Sequence, residues 1–317
     1  MKEIGGYFNL ELADRGGFLH DDGILLNSCR NALEFVLLSL RPKRIWLPKY
    51  TCDSVLQPVK HLKLNYCFYS IDKNLEIPDL SLDEDDVLLY TNYFGIKDSY
   101  TKELAEKYGD QLIIDNAQSY YSERIKGIAT IYSPRKFFGV PDGGIAYVDN
   151  PINKEFKQDK SYDRCRHLLR RYDETASEGY SDFRDNDDYL ENREILLMSQ
   201  LTKALLRNVD YDRIKIIRNQ NYNYLHNNLS ESNRLNIKLE NCVCPMVYPY
   251  YTKENNLRRM LIENKIYVAT YWNNVLNENN IETLEFKFAN NVLPLPLDQR
   301  YDIKDISRII NIINKYI

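Results

Sequence analysis

The first half of the chain alternates short apolar runs with segments of helical periodicity. The apolar runs predict strands over residues 44–48, 62–71, 86–95, 111–118 and 127–133. The intervening segments predict helices over residues 28–40, 51–62 and 99–109. Ser99 and Gly109 are typical start and stop residues for the third helix. Nearly continuous apolar strands between helices indicate a mostly parallel sheet that helices cover on both faces.

The pattern changes in the second half. Residues 154–193 are rich in Asp, Arg, Tyr and Glu, which predicts exposed loop and short helix. Residues 193–229 have helical spacing with a break near 208–210, and we expect this segment to join two domains. Short strands are predicted at 243–249, 266–272 and 290–297, with helices at 253–265 and 303–317. The predicted domains are therefore a large α/β domain over 1–205 and a linking helix with a small α+β domain over 206–317.

Composition narrows the function classes. The net charge of −4 over 317 residues argues against a general nucleic-acid binder. No apolar run reaches the roughly 18 residues of a membrane span, and the first residues lack the apolar core of a signal peptide. We expect a soluble cytoplasmic protein without nucleic-acid or membrane partners. Of six scattered cysteines, only Cys242 and Cys244 lie close in sequence, and no second pair accompanies them, so no metal site is predicted.

Several polar residues follow predicted strands. In open parallel sheets, ligands bind beyond the carboxyl ends of the strands. Asp115 follows one apolar run, and Ser133 and Lys136 follow the next. The apolar neighbours Phe137 and Phe138 predict a partly buried lysine, which is costly unless the ammonium is paired or neutralised. Taken singly, Asp115 is as typical of a helix cap as of a ligand contact. A lone lysine such as Lys136 is most often a surface residue near a turn.

The predicted helix start at Ser28 adds an anion site. A helix amino terminus offers free backbone N–H groups and a positive dipole end, which suit a phosphate. Cys29 supplies backbone there, and Arg30 could add a charge-assisted contact. A phosphate cradle, a carboxylate and a lysine are the groups that pyridoxal 5'-phosphate needs: the lysine forms the imine, and the carboxylate keeps the pyridine nitrogen protonated.

The order of these motifs resembles that of the DegT/DnrJ/StrS family of fold type I pyridoxal-phosphate aminotransferases. "IIDNAQS" is similar to the family's D-x-A-H/Q motif, and "YSPRKFFGVPDGGIAYVD" to its serine, lysine and Gly-Gly block. "LPKYTCDSV" resembles its P-x-x-T segment, "NYFG" its aromatic-glycine loop, and "RIKIIRNQNYNYL" its long helix. The resemblance runs over nearly the whole chain.

The resemblance implies a role for each matching residue. Lys136 is expected to carry the cofactor and to move the proton, Asp115 to pair with the pyridinium nitrogen, and Gln118 to contact the phenolic oxygen of the ring. Ser133 is expected to reach the phosphate. The remaining expected cofactor contacts lie in two segments: Ser28, Cys29 and Arg30 in the first, and Thr51 and Cys52 in the second.

This chain also departs from the family pattern. Cys29 and Arg30 stand where the family has glycine and a small residue, and Cys52 where it has a stacking aromatic. Stacking on the ring could then fall to Tyr50 or Tyr93. The family's phosphate-binding asparagine from the partner subunit has no clear match, since Ile195 occupies that position. The lysine itself is retained, whereas the related dehydratases replace it.

The leading prediction is a homodimeric aminotransferase with shared active sites. It would transfer an amino group to a keto-sugar that is linked to a nucleotide, and by family analogy the amino donor would be glutamate. The product would serve surface-polysaccharide or secondary-metabolite biosynthesis. Two alternatives stay open: dehydration or elimination with the same cofactor, and a non-catalytic relative that binds a ligand. Four residues are candidates for the substrate side or for ordinary packing: Tyr271, Trp272, Arg300 and Tyr301.

Overall fold

A computed structural model describes residues 4–235 and 244–317. Its strands are β1 (Ile24–Leu26), β2 (Arg44–Pro48), β3 (Asn65–Tyr69), β4 (Asp86–Thr91), β5 (Leu112–Asn116), β6 (Ala129–Tyr132), β7 (Gly144–Tyr147), β8 (Tyr248–Tyr251) and β9 (Val292–Leu295). Its α-helices are α1 (Cys29–Leu40), α2 (Leu56–His61), α3 (Asp98–Tyr108), α4 (Arg166–Asp173), α5 (Tyr180–Tyr189), α6 (Gln200–Arg207), α7 (Tyr211–Leu229), α8 (Leu257–Glu263), α9 (Asn273–Glu278), α10 (Leu284–Asn291) and α11 (Ile303–Ile313).

Seven strands form one mixed sheet in the order β1-β7-β6-β5-β4-β2-β3. The five strands from β3 to β6 are parallel, whereas β7 runs antiparallel between β6 and β1. The carboxyl ends of β1, β2, β4, β5 and β6 therefore share one edge with the amino end of β7. The predicted α/β class with a mostly parallel sheet is confirmed.

Alternating side chains of the central strands enter two different cores. Leu89 and Ile113 pack with α1 and α2 on one face of the sheet. Leu88 and Ile114 face the other way and join a cluster that continues into α7, β8, β9 and α11. Burial on both faces explains why these strands are nearly uninterrupted apolar runs. Asp115 lies two residues beyond Ile113 and therefore projects towards the face that α1 covers.

The second half contains a long helix and a two-stranded sheet. The predicted break at 208–210 is confirmed, since α6 ends at Arg207 and α7 begins at Tyr211. The two strands β8 and β9 pair antiparallel. Because one apolar cluster spans both halves, the domain boundary at residue 205 stays a prediction.

The strand predicted at 266–272 is wrong. Ile266, Val268 and Trp272 are buried while Tyr267 is exposed, so the alternation of a strand is present. No strand of the described residues pairs with this segment, and it runs as coil into α9. The predicted helix at 51–62 is shorter, with a 3₁₀ turn over Asp53–Val55 before α2. The predicted third helix starts one residue early, at Asp98.

Candidate active site

The carboxyl edge of the sheet brings the predicted residues together. Asp115 lies near the end of β5, in register with Ile131 of β6. The turn that carries Ser133 and Lys136 follows β6 directly, as a 3₁₀ turn over Pro134–Lys136. Strand β1 ends at the same edge and leads into α1. Parallel strand order thus gathers segments that are about a hundred residues apart in sequence.

Glycines join the start of α1 to the lysine turn. Ser28 forms a parallel bridge with Gly143, where φ is +124°, and the Gly143 N–H donates to Asn27 at 2.8 Å. A Cβ added at Gly144 would overlap the Ser28 carbonyl, and one at Gly143 would lie 2.8 Å from Pro134 Cγ. The glycine pair is therefore needed for close backbone approach, beyond an ordinary turn.

The start of α1 leaves backbone donors available. Ser28 is its N-cap, and the Ser28 hydroxyl accepts the Asn31 N–H at 3.1 Å. The Ser28 oxygen thus caps the helix while its O–H can still donate, and the Cys29 and Arg30 N–H groups lack protein acceptors within the described residues. Such donors at the positive end of a 12-residue helix suit an anion.

Asp115 is a buried carboxylate with one cation nearby. Its Oδ1 accepts the Ala117 N–H at 2.9 Å, and its side chain makes no other hydrogen bond with the described residues. Burial raises the pKa of Asp115 above its ordinary value, while the Lys136 ammonium and the Ala117 N–H oppose the rise. A protonated pyridinium would be a stabilising partner for such a carboxylate.

Gln118 presents an unsatisfied donor. Its Oε1 accepts the Phe94 N–H at 2.8 Å, which fixes the orientation of the amide. Its Nε2 is buried without an acceptor, and the residue is only 1% exposed. A buried amide donor without an acceptor costs free energy, so a ligand that supplies an acceptor here would be stabilised. The phenolic oxygen expected from the family resemblance is such an acceptor.

Lys136 is exposed, in contrast to the burial predicted from its neighbours. Phe137 and Phe138 are buried as expected, and the 3₁₀ turn points the lysine away from them. The ammonium lacks a hydrogen-bond acceptor among the described residues but acts electrostatically on Asp115, Cys29 and Cys52. The lysine is therefore accessible and close to the predicted acid.

Both cysteines of the site are neutral thiols. Burial raises the pKa of Cys29 far above its ordinary value; Asp115 adds to the rise, and Lys136 and Arg30 oppose it. Burial also raises the pKa of Cys52, and Lys136 opposes that rise. The pKa of Cys29 is affected electrostatically by four of the predicted residues, so these side chains lie close together: Asp115, Lys136, Arg30 and Cys52. Neutral thiols are poor nucleophiles, so neither cysteine is a candidate nucleophile here.

The other predicted contacts surround this cluster. Ser133 is buried, and its hydroxyl makes no hydrogen bond to a described residue. Thr51 is buried, and its carbonyl accepts Asn274 Nδ2 at 3.1 Å. The Arg30 Nε is buried without an acceptor, and the guanidinium reaches Glu191 at only 3.9 Å. Arg30 thus retains donor capacity beside the start of α1.

Two suggested stacking residues are packed away. The rings of Tyr50 and Tyr93 stack on each other at 5.5 Å, and both are 0% exposed. Tyr271 lies closer to the surface, near Phe94 and close enough to Cys52 for the two to affect each other electrostatically. Cys52, at the position where the family has a stacking aromatic, is half-buried, and its thiol donates to Asp53 at 3.4 Å.

The other suggested substrate residues lie in ordinary packing. Trp272 is 9% exposed and packs edge-on against the Tyr50 ring at 5.1 Å. Arg300 pairs with Asp298 at 2.7 Å, and its guanidinium lies over the Tyr301 ring. Nothing in these contacts directs any of the three residues to the cluster.

The sequence did not reveal the contacts that hold the lysine turn from α5. Arg135 pairs with Asp187 at 3.0 Å, and Asn186 donates to the Pro141 carbonyl at 2.8 Å. Residues 154–193 read as exposed and polar, so their packing on the turn was missed. The one available signal in the sequence is the mixture of Asp and Arg in this segment, because such side chains can form ion pairs with other parts of the fold.

Pyridoxal phosphate fits the residues present. Gln118 has an orphaned donor, Asp115 has a free carboxylate oxygen, and α1 has free N–H groups beside a close glycine contact. The exposed amine of Lys136 completes the set. Among the described residues, no group of three His, Cys, Asp or Glu side chains is placed to hold a metal, and no helix is long and apolar enough to span a membrane. Cys242 lies outside the described residues.

No protein-family model matches the chain, and no curated protein matches it significantly. Solved structures do match. A DegT DnrJ EryC1 StrS aminotransferase from Brucella abortus has a TM-score of 0.61 and 14% identity, covering 92% of this chain and 85% of that one. The sugar aminotransferase CalS13 from Micromonospora echinospora has a TM-score of 0.60 and 12% identity, covering 92% and 86%. This chain has their fold.

A third structure of this fold was solved with a cofactor. NtdA from Bacillus subtilis, with bound cofactor PMP, has a TM-score of 0.63 and 13% identity, covering 92% of this chain and 72% of that one. The three structures named here are 12–14% identical to this chain. The fold type predicted from the order of the motifs is therefore confirmed.

Proposed function

We propose that the protein is a pyridoxal-phosphate-dependent aminotransferase that acts on a keto-sugar. The single observation that carries this is the cluster at the carboxyl edge of the sheet, where the accessible Lys136 amine acts on the buried Asp115 carboxylate. The fold shared with sugar aminotransferases supports the substrate class. Nucleotide linkage, glutamate as amino donor, and a role in polysaccharide or secondary-metabolite biosynthesis are parts of the same proposal.

Each residue has a defined task in this proposal. When bound, the cofactor supplies an aldehyde for amines and a ring that withdraws electrons from the adjacent carbon. Lys136 would hold the cofactor covalently, and its amine would move protons at the reacting carbon. Asp115 would keep the ring nitrogen protonated, Gln118 Nε2 would donate to the ring oxygen, and Ser133 would bind the phosphate.

The surroundings of the cluster suit a polar acceptor. An open groove of about 610 Å³ adjoins Arg30 and the segment after Cys52. Eight of its nine lining residues carry polar or charged groups, namely Arg30, Asp53, Ser54, Gln57, Lys60, His61, Glu191 and Asn192, and the ninth is Leu56. A sugar with several hydroxyl groups could form hydrogen bonds with these side chains.

We also propose a homodimer with shared sites. In the single chain Lys136 is exposed, although chemistry of this kind benefits from exclusion of water. The amino-terminal segment also exposes Ile4, Tyr7, Phe8 and Leu10, each at least 64% accessible. Apolar side chains so exposed in one short stretch are typical of an interface. Sedimentation of the active protein tests this proposal: an active monomer would contradict it.

The test of the chemistry uses purified protein and added cofactor. Wild type is expected to bind pyridoxal phosphate with a visible absorbance band, and borohydride should fix the cofactor to the peptide containing Lys136. Lys136→Ala should lose both signals, whereas Lys107→Ala, which removes a surface pair with Asp79 and a contact with the Tyr108 ring, should retain them. With glutamate and a panel of keto-sugars, amination without loss of water supports the proposal. Absence of any half-reaction across a broad donor panel would refute it.

A further inference from the structure

A chain of hydrogen bonds connects the two ends of the candidate site through the carboxyl-terminal third of the protein. Gln118 accepts the Phe94 N–H, and the Phe94 carbonyl accepts the Met246 N–H at 2.8 Å. The Met246 carbonyl accepts Nη1 of Arg218 at 3.1 Å. The path therefore leads from a predicted ring contact to one buried arginine on α7.

The path continues from Arg218 to the lysine turn. Arg218 Nε donates to Gln299 Oε1 at 3.1 Å, and Gln299 Nε2 donates to the Phe137 carbonyl at 2.8 Å. The Arg218 guanidinium also lies over the Phe137 ring, 4.6 Å from its centroid. Phe137 directly follows Lys136, so the arginine holds that turn by a ring contact and by a bridging amide.

Arg218 has an unusual environment for an arginine. It is 2% exposed, and burial lowers its pKa below the ordinary value. No carboxylate of the described residues forms an ion pair with it, and its acceptors are two backbone carbonyls and one amide. A buried guanidinium without a carboxylate is costly, and a hydrophobic residue would fill the same space more cheaply. An arginine at this buried position is better explained by a role that needs several fixed hydrogen-bond donors at once.

We propose that Arg218 is a positioning residue for the site, acting together with Gln299. It fixes the Lys136 turn through Phe137, and it fixes the amide of Gln118 through Met246 and Phe94. The donor and the amine are thereby held at a set separation, as required for groups that act on one aromatic ring. This inference rests on the proposed function, because the separation matters only if both groups contact the same cofactor.

Lysine is the most informative replacement. Arg218→Lys retains the charge but loses the planar fork that donates to Gln299 and to Met246 together. The matched control is Arg258→Lys. Arg258 is a half-buried arginine that donates to backbone carbonyls, including Val292 at 3.1 Å, and none of its hydrogen bonds reaches the lysine turn. Both variants replace a guanidinium that donates to backbone carbonyls by an ammonium, so a purely structural role predicts similar behaviour.

The primary readout is the binding of pyridoxal phosphate, followed by absorbance titration and by borohydride trapping at Lys136. We expect Arg218→Lys to weaken binding on the order of tenfold and to slow trapping at Lys136, since small misplacements of reacting groups are costly. The pH midpoint of the absorbance change should also shift in Arg218→Lys, and in Gln299→Leu, but not in Arg258→Lys. Melting temperatures measured without cofactor separate these effects from general destabilisation.

A double-mutant cycle tests the path itself. Combining Arg218→Lys with Gln118→Leu should give an effect on binding smaller than the product of the single effects, because both substitutions break the same chain of contacts. Purely multiplicative effects, or equal pH midpoints in Arg218→Lys and Arg258→Lys, would overturn the inference while leaving the proposed function intact. Wild type that forms no trapped adduct at Lys136 would overturn both.

Discussion

The Oε1 of Gln118 accepts the backbone N–H of Phe94 at 2.8 Å, and this bond leaves Nε2 as a buried donor without an acceptor. Phe94 itself lies at φ +58°, in the left-handed region, so its N–H is held in a backbone conformation that is uncommon for a residue with a side chain. The Oε1 of Gln118 therefore stabilises the fold, and its Nε2 remains available to a ligand.

Gln118→Leu is expected to affect both halves. Stability should fall by about 1–3 kcal/mol, because the buried Phe94 N–H loses its acceptor. Affinity for pyridoxal phosphate should fall as well. Urea unfolding without cofactor measures the first effect and absorbance titration the second. The control is Gln111→Leu, which removes an amide that donates to Asp83 and Asp86 at the opposite edge of the sheet. It should change stability without changing cofactor affinity.

Asp115→Asn should separate stability from activity. The folded pKa of Asp115 lies above its unfolded value, so its contribution favours the folded state below the unfolded pKa and is lost as pH rises through the folded pKa. Without cofactor, the variant should therefore gain stability relative to wild type as pH rises from acid to neutral. Transamination should be abolished. Urea unfolding across that pH range provides the measurement, and a variant that loses stability on the same titration would contradict the pKa direction.

Gly144→Ala should damage the site through the backbone. A Cβ there overlaps the Ser28 carbonyl, so β7 or the start of α1 must shift, at a cost of about 1–3 kcal/mol. Cofactor affinity should drop with it, since the free N–H groups of α1 move. Gly139→Ala is the comparison, because its added Cβ would meet only Leu168 at 3.6 Å. Similar melting temperatures and affinities for the two variants would argue against the close contact.

Asp86→Asn should act on the fold alone. At the edge of the sheet opposite the site, Asp86 accepts Arg44 and the Trp46 indole N–H, the latter at 2.9 Å. These donors hold the pKa of Asp86 below its ordinary value despite burial, which by itself would raise it. The stabilisation is present above the unfolded pKa and is lost as pH falls through the folded one. We expect a loss of about 1.5–3 kcal/mol at neutral pH, shrinking in acid, with unchanged cofactor affinity.

Much of the large sheet could be predicted because its strands are buried on both faces and read as apolar runs. The order of Asp115, Gln118, Ser133 and Lys136 also predicted a shared edge, and the structure places them there. Strands β1 and β7 were not assigned, because β1 has only three residues and β7 begins at a glycine. Both are identified by pairing with distant strands and not by local pattern.

Other features depend on contacts that no local pattern encodes. The exposure of Lys136 follows from a 3₁₀ turn that buries its phenylalanine neighbours and leaves the lysine outside. The mutual stacking of Tyr50 and Tyr93 removes two candidates for ring contacts. Arg218 occurs in a helix with many charged and polar residues, and only the fold shows that this one arginine is buried.

The pairing of β1 with β7 has a consequence for how the protein folds. Leu26 meets Gly144 across the sheet, so this ladder closes a loop of well over a hundred residues. Closing such loops carries a large entropic cost and slows folding. We therefore expect the proposed phosphate site at the start of α1 to form late in folding. Pyridoxal phosphate added during refolding should stabilise molecules that have already folded. The final yield of folded protein should rise, and the rate of folding should not change.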